Sequence, residues 1–286
     1  MRHDTQVDLL RRFGKLWADR TTELAPAVRR TPVATYLDPE RFARERKLLF
    51  EERPLIAALS ADLPEPGSCV AVEVDRVPIL LVRGEDTQVR AFLNACRHRG
   101  SRIVKGHDMP GRVFSCPFHA WTYDLDGELL GQPLAREAFD GLDRSELGLL
   151  AIPVTEAAGL IIVSPSASEA PDVAADLGAL GDELEEWDLG SFRFFEERVV
   201  PVEANWKLVY DTYLEGYHIF SLHRRTVGKI LLSTPAVGDP FGVHSRSVVF
   251  GKDVPRHIRT APEEEWDLKR HASIVYQLFP NTVINL

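Results

Sequence analysis

Cysteine is scarce in this sequence, with three in 286 residues, too few for a disulfide scaffold in a chain of this length. Positive charge is in deficit as well, leaving a formal net charge of −9. An acidic surface repels nucleic acid and anionic lipid, so neither is expected as a partner. Long apolar runs are missing too. A membrane span needs roughly 18–20 consecutive apolar residues, and GLIIV at 159–163 is only strand-sized. The opening MRHDTQVDLLRRFGKLW is charged throughout and has no secretory apolar region, which predicts a cytoplasmic protein. What is present suits a globular fold. Apolar residues make up 44% and charged residues 27%, enough to bury a sizeable core.

Periodicity divides the chain. Between 5 and 24, Val7, Leu9, Leu10, Phe13, Leu16 and Trp17 recur at helical spacing, and Pro26 and Pro32 then break the pattern. From about 40 to 155 the texture is β-like: CVAVEV (69–74), VPILLV (77–82), VRAFLNAC (89–96), GRVFSC (111–116) and AWTYDLDG (120–127). Asp126-Gly127 has the chemistry of a hairpin turn. This stretch predicts a small antiparallel β domain. GLIIV adds a strand, and SPSASEAPD (164–172) a linker or exposed loop. An acidic amphipathic helix is expected over 172–187, a strand over 192–202 and a helix over 204–223. RSVVF (246–250) and ASIVYQLFP (272–280) read as strands. The fold class expected is α+β.

Two pairs of metal-ligating residues stand in the β region, Cys96-Arg-His98 and Cys116-Pro-Phe-His119, with 17 residues between them. Each follows a predicted strand, so two short loops can converge on one centre. Two thiolates and two imidazoles suit a tetrahedral Zn²⁺ or a [2Fe–2S] cluster with Cys on one iron and His on the other. The common Cys₂His₂ zinc modules place both cysteines before both histidines. Here each loop carries one of each. That order, with Arg99-Gly100, Pro117-Phe118 and Ala120-Trp121 beside it, resembles the Rieske iron–sulfur domain. The resemblance implies that Cys96 and Cys116 hold one iron and His98 and His119 the other. Cys69 is expected in the core, and His107 in an exposed loop.

A second constellation lies at 205–223. Glu215 and His218 are three apart and share a helix face. His218 and His223 are five apart, so a straight α-helix would splay them. They can meet only if the helix breaks or carries a π-type turn. The run N-W-K-x3-D-x3-E-x-Y-H-x4-H resembles the catalytic-domain signature of Rieske non-haem iron oxygenases, the large (alpha) subunits of the aromatic-ring-hydroxylating family. That resemblance implies an all-β Rieske domain (41–155) inserted into a helix-grip-like catalytic domain of antiparallel sheet and helices (1–40 and 156–286). It implies His218 and His223 as ligands of a mononuclear Fe(II), and Glu215 as the carboxylate linking a cluster histidine of one subunit to an iron histidine of the next in a homotrimer. Asn205 matches a position near the iron, and Asp211 and Tyr217 would add outer hydrogen bonds. Glu rather than Asp at 215 is reminiscent of the branch acting on quaternary ammonium compounds. An NAD(P)H-dependent reductase, with or without a ferredoxin, would supply electrons for attack by O₂ on a small organic substrate. The rival is a pure electron carrier.

The family's third iron ligand is an Asp far beyond the second histidine, past where this sequence stops. ASIVYQLFPNTVINL has no turn or charge to close it, so the chain is expected to be C-terminally truncated relative to the family. Of the carboxylates after His223, Asp239 reads as a turn residue and EEEWD (263–267) as a solvated helix start. Trp206, Tyr210, Tyr213 and Tyr217 are expected to pack in the core. Phe220, Leu231, Leu232 and Phe241 are candidates for a pocket lining as much as for core.

Overall fold

The computed structural model describes residues 1–108 and 111–286, with the backbone alone at His107 and Asp108. It divides into two compact units, one of Arg46–Asp176 with Asp188–Arg198, the other of Met1–Glu45, Leu177–Trp187 and Val199–Leu286. No helix among the described residues is long and apolar enough to cross a membrane.

Among the described residues, the first unit is built on three antiparallel sheets. The largest runs His107–Asp108, Cys69–Val74, Val77–Arg83, Val89–Leu93, Ala151–Ile152 in spatial order. Its central strand explains the apolar run VPILLV. Successive side chains alternate between faces, and here both faces are covered. Leu80 and Val82 enter one core with Phe92, Phe114, Trp121 and Tyr123. Ile79 and Leu81 enter another with Leu55, Val70, Ile161 and Val163. Complete burial of each such side chain contributes about 1.5–3 kcal/mol. Asp75 and Arg76, both at positive φ, make the two-residue hairpin from Cys69–Val74 into Val77–Arg83. The smaller sheets are Val113–Ser115, Thr122–Asp124, Leu129–Gly131 and Leu55–Leu59, Leu160–Val163, Val154–Ala157. Gly127 makes the expected hairpin turn at φ +82°. A Cβ there would also lie 2.5 Å from the Phe92 ring. His107 pairs through its backbone with Val70; its side-chain exposure lies outside the described residues.

The second unit is built on a four-stranded antiparallel meander, Leu231–Phe241, His244–Gly251, Ala272–Leu278, Thr282–Asn285. Helix His3–Ala18 packs on it through Leu9, Leu10 and Phe13, all fully buried, and the Phe13 ring lies 4.4 Å from that of Phe250. Antiparallel sheets with helices bear out the α+β expectation.

Asp239 is not a turn residue. It sits within Leu231–Phe241, where Arg246 donates to it at 2.5 Å and Arg12 at 2.7 Å, while Arg246 also bonds Glu183. Burial pushes the Asp239 carboxyl up, but the two guanidinium groups outweigh it and hold it below its ordinary value. The segment 192–202 forms neither strand nor helix, and Phe195 and Val199 stay exposed. An alternating pattern makes a strand only where an edge is free to pair. The acidic helix is two, Val173–Leu177 and Ala179–Glu185, parted at Gly178. The helix expected over 204–223 covers only Trp206–Asp211.

Candidate metal centres

Cys96 and Cys116 open two loops that close in the same way. Cys96 N–H donates to Ser101 O (2.9 Å) and Gly100 N–H to Cys96 O (2.8 Å). Cys116 N–H donates to Trp121 O (2.8 Å) and Ala120 N–H to Cys116 O (2.9 Å). In each, the fourth residue after the cysteine adopts a left-handed conformation, Gly100 at φ +70° and Ala120 at φ +55°. That reversal closes each loop just after its histidine, returning the chain to the residue that pairs with the cysteine N–H.

Both thiols are buried, part of the core with Phe114 and Tyr123, and free of any disulfide. Burial pushes the Cys116 thiol up, yet the backbone N–H groups of Phe118 and His119, with Cys96 and Ser101, bring it below its ordinary value. The Tyr123 hydroxyl accepts from Arg97 N–H at 3.1 Å, which turns its own proton toward Cys96 Sγ at 3.3 Å. Burial first, and then Cys96, hold that phenol far above its ordinary value.

The imidazoles lie outside this sulfur pair. His119 is exposed and His98 half-buried, with ring centroids 4.6 Å apart. His98 stacks on Trp121 at 5.0 Å and 7°, and Phe139 meets it edge-on. Burial, then the charges of His119 and Arg99, lower the His98 pKa, keeping the neutral ring that a metal requires. Its Nδ1 is buried with no hydrogen-bond partner among the described residues, an orphan that a metal bond would satisfy. A buried sulfur pair and an outer imidazole pair fit the two unlike irons of a [2Fe–2S] cluster.

The second centre begins at Asn205, whose side chain caps helix Trp206–Asp211 by accepting from Lys207 N–H at 3.1 Å. The helix then breaks, and the next turn, Tyr217–Phe220, is 3₁₀. Glu215 grips His218 twice, accepting the backbone N–H at 3.1 Å and facing Nδ1 at 2.6 Å. A carboxylate there accepts a hydrogen bond from Nδ1–H, which fixes that tautomer and leaves the Nε2 lone pair for a metal. The break brings the His218 and His223 rings to 5.2 Å, edge to face. Gly228 packs against the second ligand candidate: its N–H donates to His223 O at 3.0 Å, and a Cβ would stand 2.8 Å from that oxygen. Both histidines line a cavity of about 1490 Å³, with Leu24, Tyr213, Ile230 and Val249 among its walls. Among the described residues, no three His, Cys, Asp or Glu side chains surround one ion position. This centre therefore offers two nitrogen donors, a partial set for iron.

Asn205 and Asp211 are tied elsewhere. Asn205 Nδ2 donates to Tyr36 O at 3.0 Å, and the Tyr36 hydroxyl donates to Asp211 at 2.8 Å; neither side chain lines the cavity. Trp206 and Tyr210 pack around the Phe279 ring but are only half-buried, at the margin of the core expected for them. Tyr213 instead lines the cavity, and Tyr217 is 78% exposed, because the broken helix no longer turns them inward. Of the apolar candidates Leu231 lines the cavity, while Phe220 is exposed. Sequence reasoning missed Tyr123 and Gly228. Tyr123 carried one signal, its place two residues after Trp121 on the inward face of a strand.

Residues 53–150 match the family model of the Rieske [2Fe-2S] domain, and residues 189–286 that of the ring hydroxylating alpha subunit catalytic domain. The chain is 33% identical over 202 residues to the glycine betaine monooxygenase oxygenase subunit of Chromohalobacter salexigens, covering 70% of this chain and 44% of that one. It is 33% identical over 196 residues to the carnitine monooxygenase oxygenase subunit of Escherichia coli K12, covering 67% and 51%. The chain thus spans about half the length of the curated relatives it matches. In fold it is similar to naphthalene 1,2-dioxygenase from Rhodococcus sp., with TM-score 0.69, 24% identity and 98% of this chain and 68% of that one covered. A quaternary ammonium Rieske monooxygenase crystallised with L-carnitine matches at TM-score 0.72 and 22% identity, over 89% and 66% of the two chains. With a Rieske domain followed by a ring-hydroxylating catalytic domain, which together imply a [2Fe–2S] cluster and a mononuclear iron, the chain belongs to the alpha subunits of the Rieske non-haem iron oxygenases.

Proposed function

We propose that this chain is the oxygenase component of a multicomponent system that hydroxylates, cleaves or demethylates a small organic substrate with O₂ and reductase-supplied electrons. The observation that carries the reading is the Glu215–His218 pair beside His223, at a helix break on a cavity wall. Cys96, Cys116, His98 and His119 are assigned to the cluster, and His218 and His223 to the mononuclear iron. When bound, the cluster relays single electrons and the iron activates dioxygen.

The protein's own residues orient and gate. Glu215 selects the His218 tautomer and, at 49% side-chain exposure, is open to a cluster histidine of a neighbouring subunit in a homotrimer. Asn205 and Asp211 brace, through Tyr36, the helix Trp206–Asp211 that leads into the ligand-bearing segment. Tyr123, beside Cys96, and the Phe118 and His119 N–H groups, at Cys116, stabilise thiolate charge. A quaternary ammonium substrate is favoured over an aromatic one, because glycine betaine and carnitine oxygenase subunits are among the relatives and residue 215 is Glu. The partners would be an NAD(P)H-dependent reductase, with or without a ferredoxin, in the cytoplasm.

Iron and acid-labile sulfide per chain, after anaerobic Fe(II) reconstitution, test the reading. About three irons to two sulfides, with betaine- or carnitine-dependent NADH and O₂ consumption, is the expected outcome. Two irons to two sulfides would leave an electron carrier. Zinc without sulfide would overturn the cluster assignment.

A further inference from the structure

A helix running unbroken from Trp206 to His223 would hand the Tyr213 carbonyl to the N–H of Tyr217, four residues on. The break withdraws that donor. Another arrives from the sheet. Gln277, on strand Ala272–Leu278, has no exposed surface, and its Nε2 donates to Tyr213 O at 2.6 Å and to Ser247 Oγ at 2.9 Å. Its Oε1 accepts from Ser245, the residue opposite it on the neighbouring strand, at 2.7 Å. Both amide protons and the carbonyl oxygen are therefore used, which leaves the side chain one orientation.

A buried strand position is ordinarily apolar, and an amide there costs free energy unless every group is paired. Here the amide is matched to the carbonyl that the break orphans. Tyr213 lies two residues before Glu215 and five before His218. From the other side of the break, Glu215 accepts the His218 N–H. The unwound segment is thus held at one end by Gln277 and at the other by Glu215. Without the Gln277 bond, Tyr213 O would recover its partner most readily by extending the helix toward Tyr217, and that would swing His218 away from His223.

We propose that Gln277 is a positioning residue that holds the helix break in place, and through it the spacing of His218 and His223 for a divalent metal. The inference rests on the reading of those two histidines as metal ligands. Its test is Co(II) binding to the full chain with the cluster oxidised and diamagnetic, followed by the resonance of high-spin Co(II), with His218→Ala as reference. Gln277→Leu and the near-isosteric Gln277→Glu are each expected to weaken Co(II) binding by about ten- to a hundredfold. The cluster absorption should be unchanged in both. Ser245→Ala, which removes a different partner of the same amide and leaves its bond to Tyr213 in place, should weaken Co(II) binding less than either Gln277 variant. If Gln277→Leu loses its fold, Gln277→Glu decides. Parent-like affinity in the Gln277 variants, or an equal loss in Ser245→Ala, overturns the proposal and leaves the histidine assignment standing. Failure of the parent to bind Co(II), or binding that survives His218→Ala, overturns the assignment and the inference with it.

Discussion

The two candidate centres are held by different means. In the β unit, backbone hydrogen bonds close both loops in one pattern, and the cysteines are part of the hydrophobic core. The loops cannot move without opening that core. At the helix break, the geometry depends on side chains, Glu215 on His218 and Gln277 on Tyr213, and on the close approach of Gly228 to His223. On the proposed function, the first centre would relay electrons from a rigid core, and the second would meet substrate and oxygen from the cavity that His218 and His223 line. The difference teaches that similar ligand types can be placed by packing or by polar clamps, and the two should fail differently.

Gly228→Ala should expose the contrast most sharply. The added methyl meets His223 O at 2.8 Å and Ile219 O at 3.0 Å, both backbone, so the segment must shift at a cost of about 1–3 kcal/mol. Urea unfolding should show that loss, and Co(II) affinity should fall while the cluster spectrum stays as it was. A matching loss of cluster would mean that the two centres are not independent.

Tyr123→Phe probes the other region. It removes the hydroxyl proton aimed at Cys96 Sγ, which stabilises the more negative, reduced cluster. The potential should fall by on the order of 40 mV, corresponding to one hydrogen bond of about 1 kcal/mol. Protein-film voltammetry would measure it, and an unchanged potential would remove Tyr123 from the account.

A pH series tests the ion network behind the cavity sheet. Asp239 has its folded pKa depressed despite burial, by Arg246 and Arg12. Its contribution is therefore complete above the ordinary carboxylate pKa and is lost as pH falls through the depressed one. The melting temperature should drop on acidification in the parent, and less steeply in Asp239→Asn. Equal slopes would contradict the assignment.

The smallest effect sharpens the likeness of the two cluster loops. Ala120 occupies the left-handed position that Gly100 fills in the partner loop. Ala120→Gly should stabilise by up to about 1 kcal/mol, because an L-residue is strained there. A decrease in urea midpoint would show that the alanine methyl packs favourably enough to offset the strain.

Legibility differed between the regions for a physical reason. Strand Cys69–Val74 was readable to the residue, because β-branched runs between turn residues are local signals. Asp126-Gly127 was legible as a hairpin turn for the same reason. The run at 192–202 had the right alternation and no partner, and strand pairing is not a local property. Asp239 looked like a turn residue because Pro240 follows it, whereas Arg12 and Arg246 recruit it into a strand. The core packing expected of Tyr213 and Tyr217 failed when the helix stopped at Asp211.

By itself, then, the sequence determined which donors exist, two Cys-His pairs and a Glu-His-His run, and which β-strands surround the first pair. Those follow from residue identity and short-range pattern. Only the tertiary structure decided where the helix after Asn205 breaks, what Gln277 and Asp239 hold, and that His98 Nδ1 has no partner among the described residues. Each of those depends on a donor, acceptor or covering surface brought from elsewhere in the chain, and no window of neighbouring residues contains it.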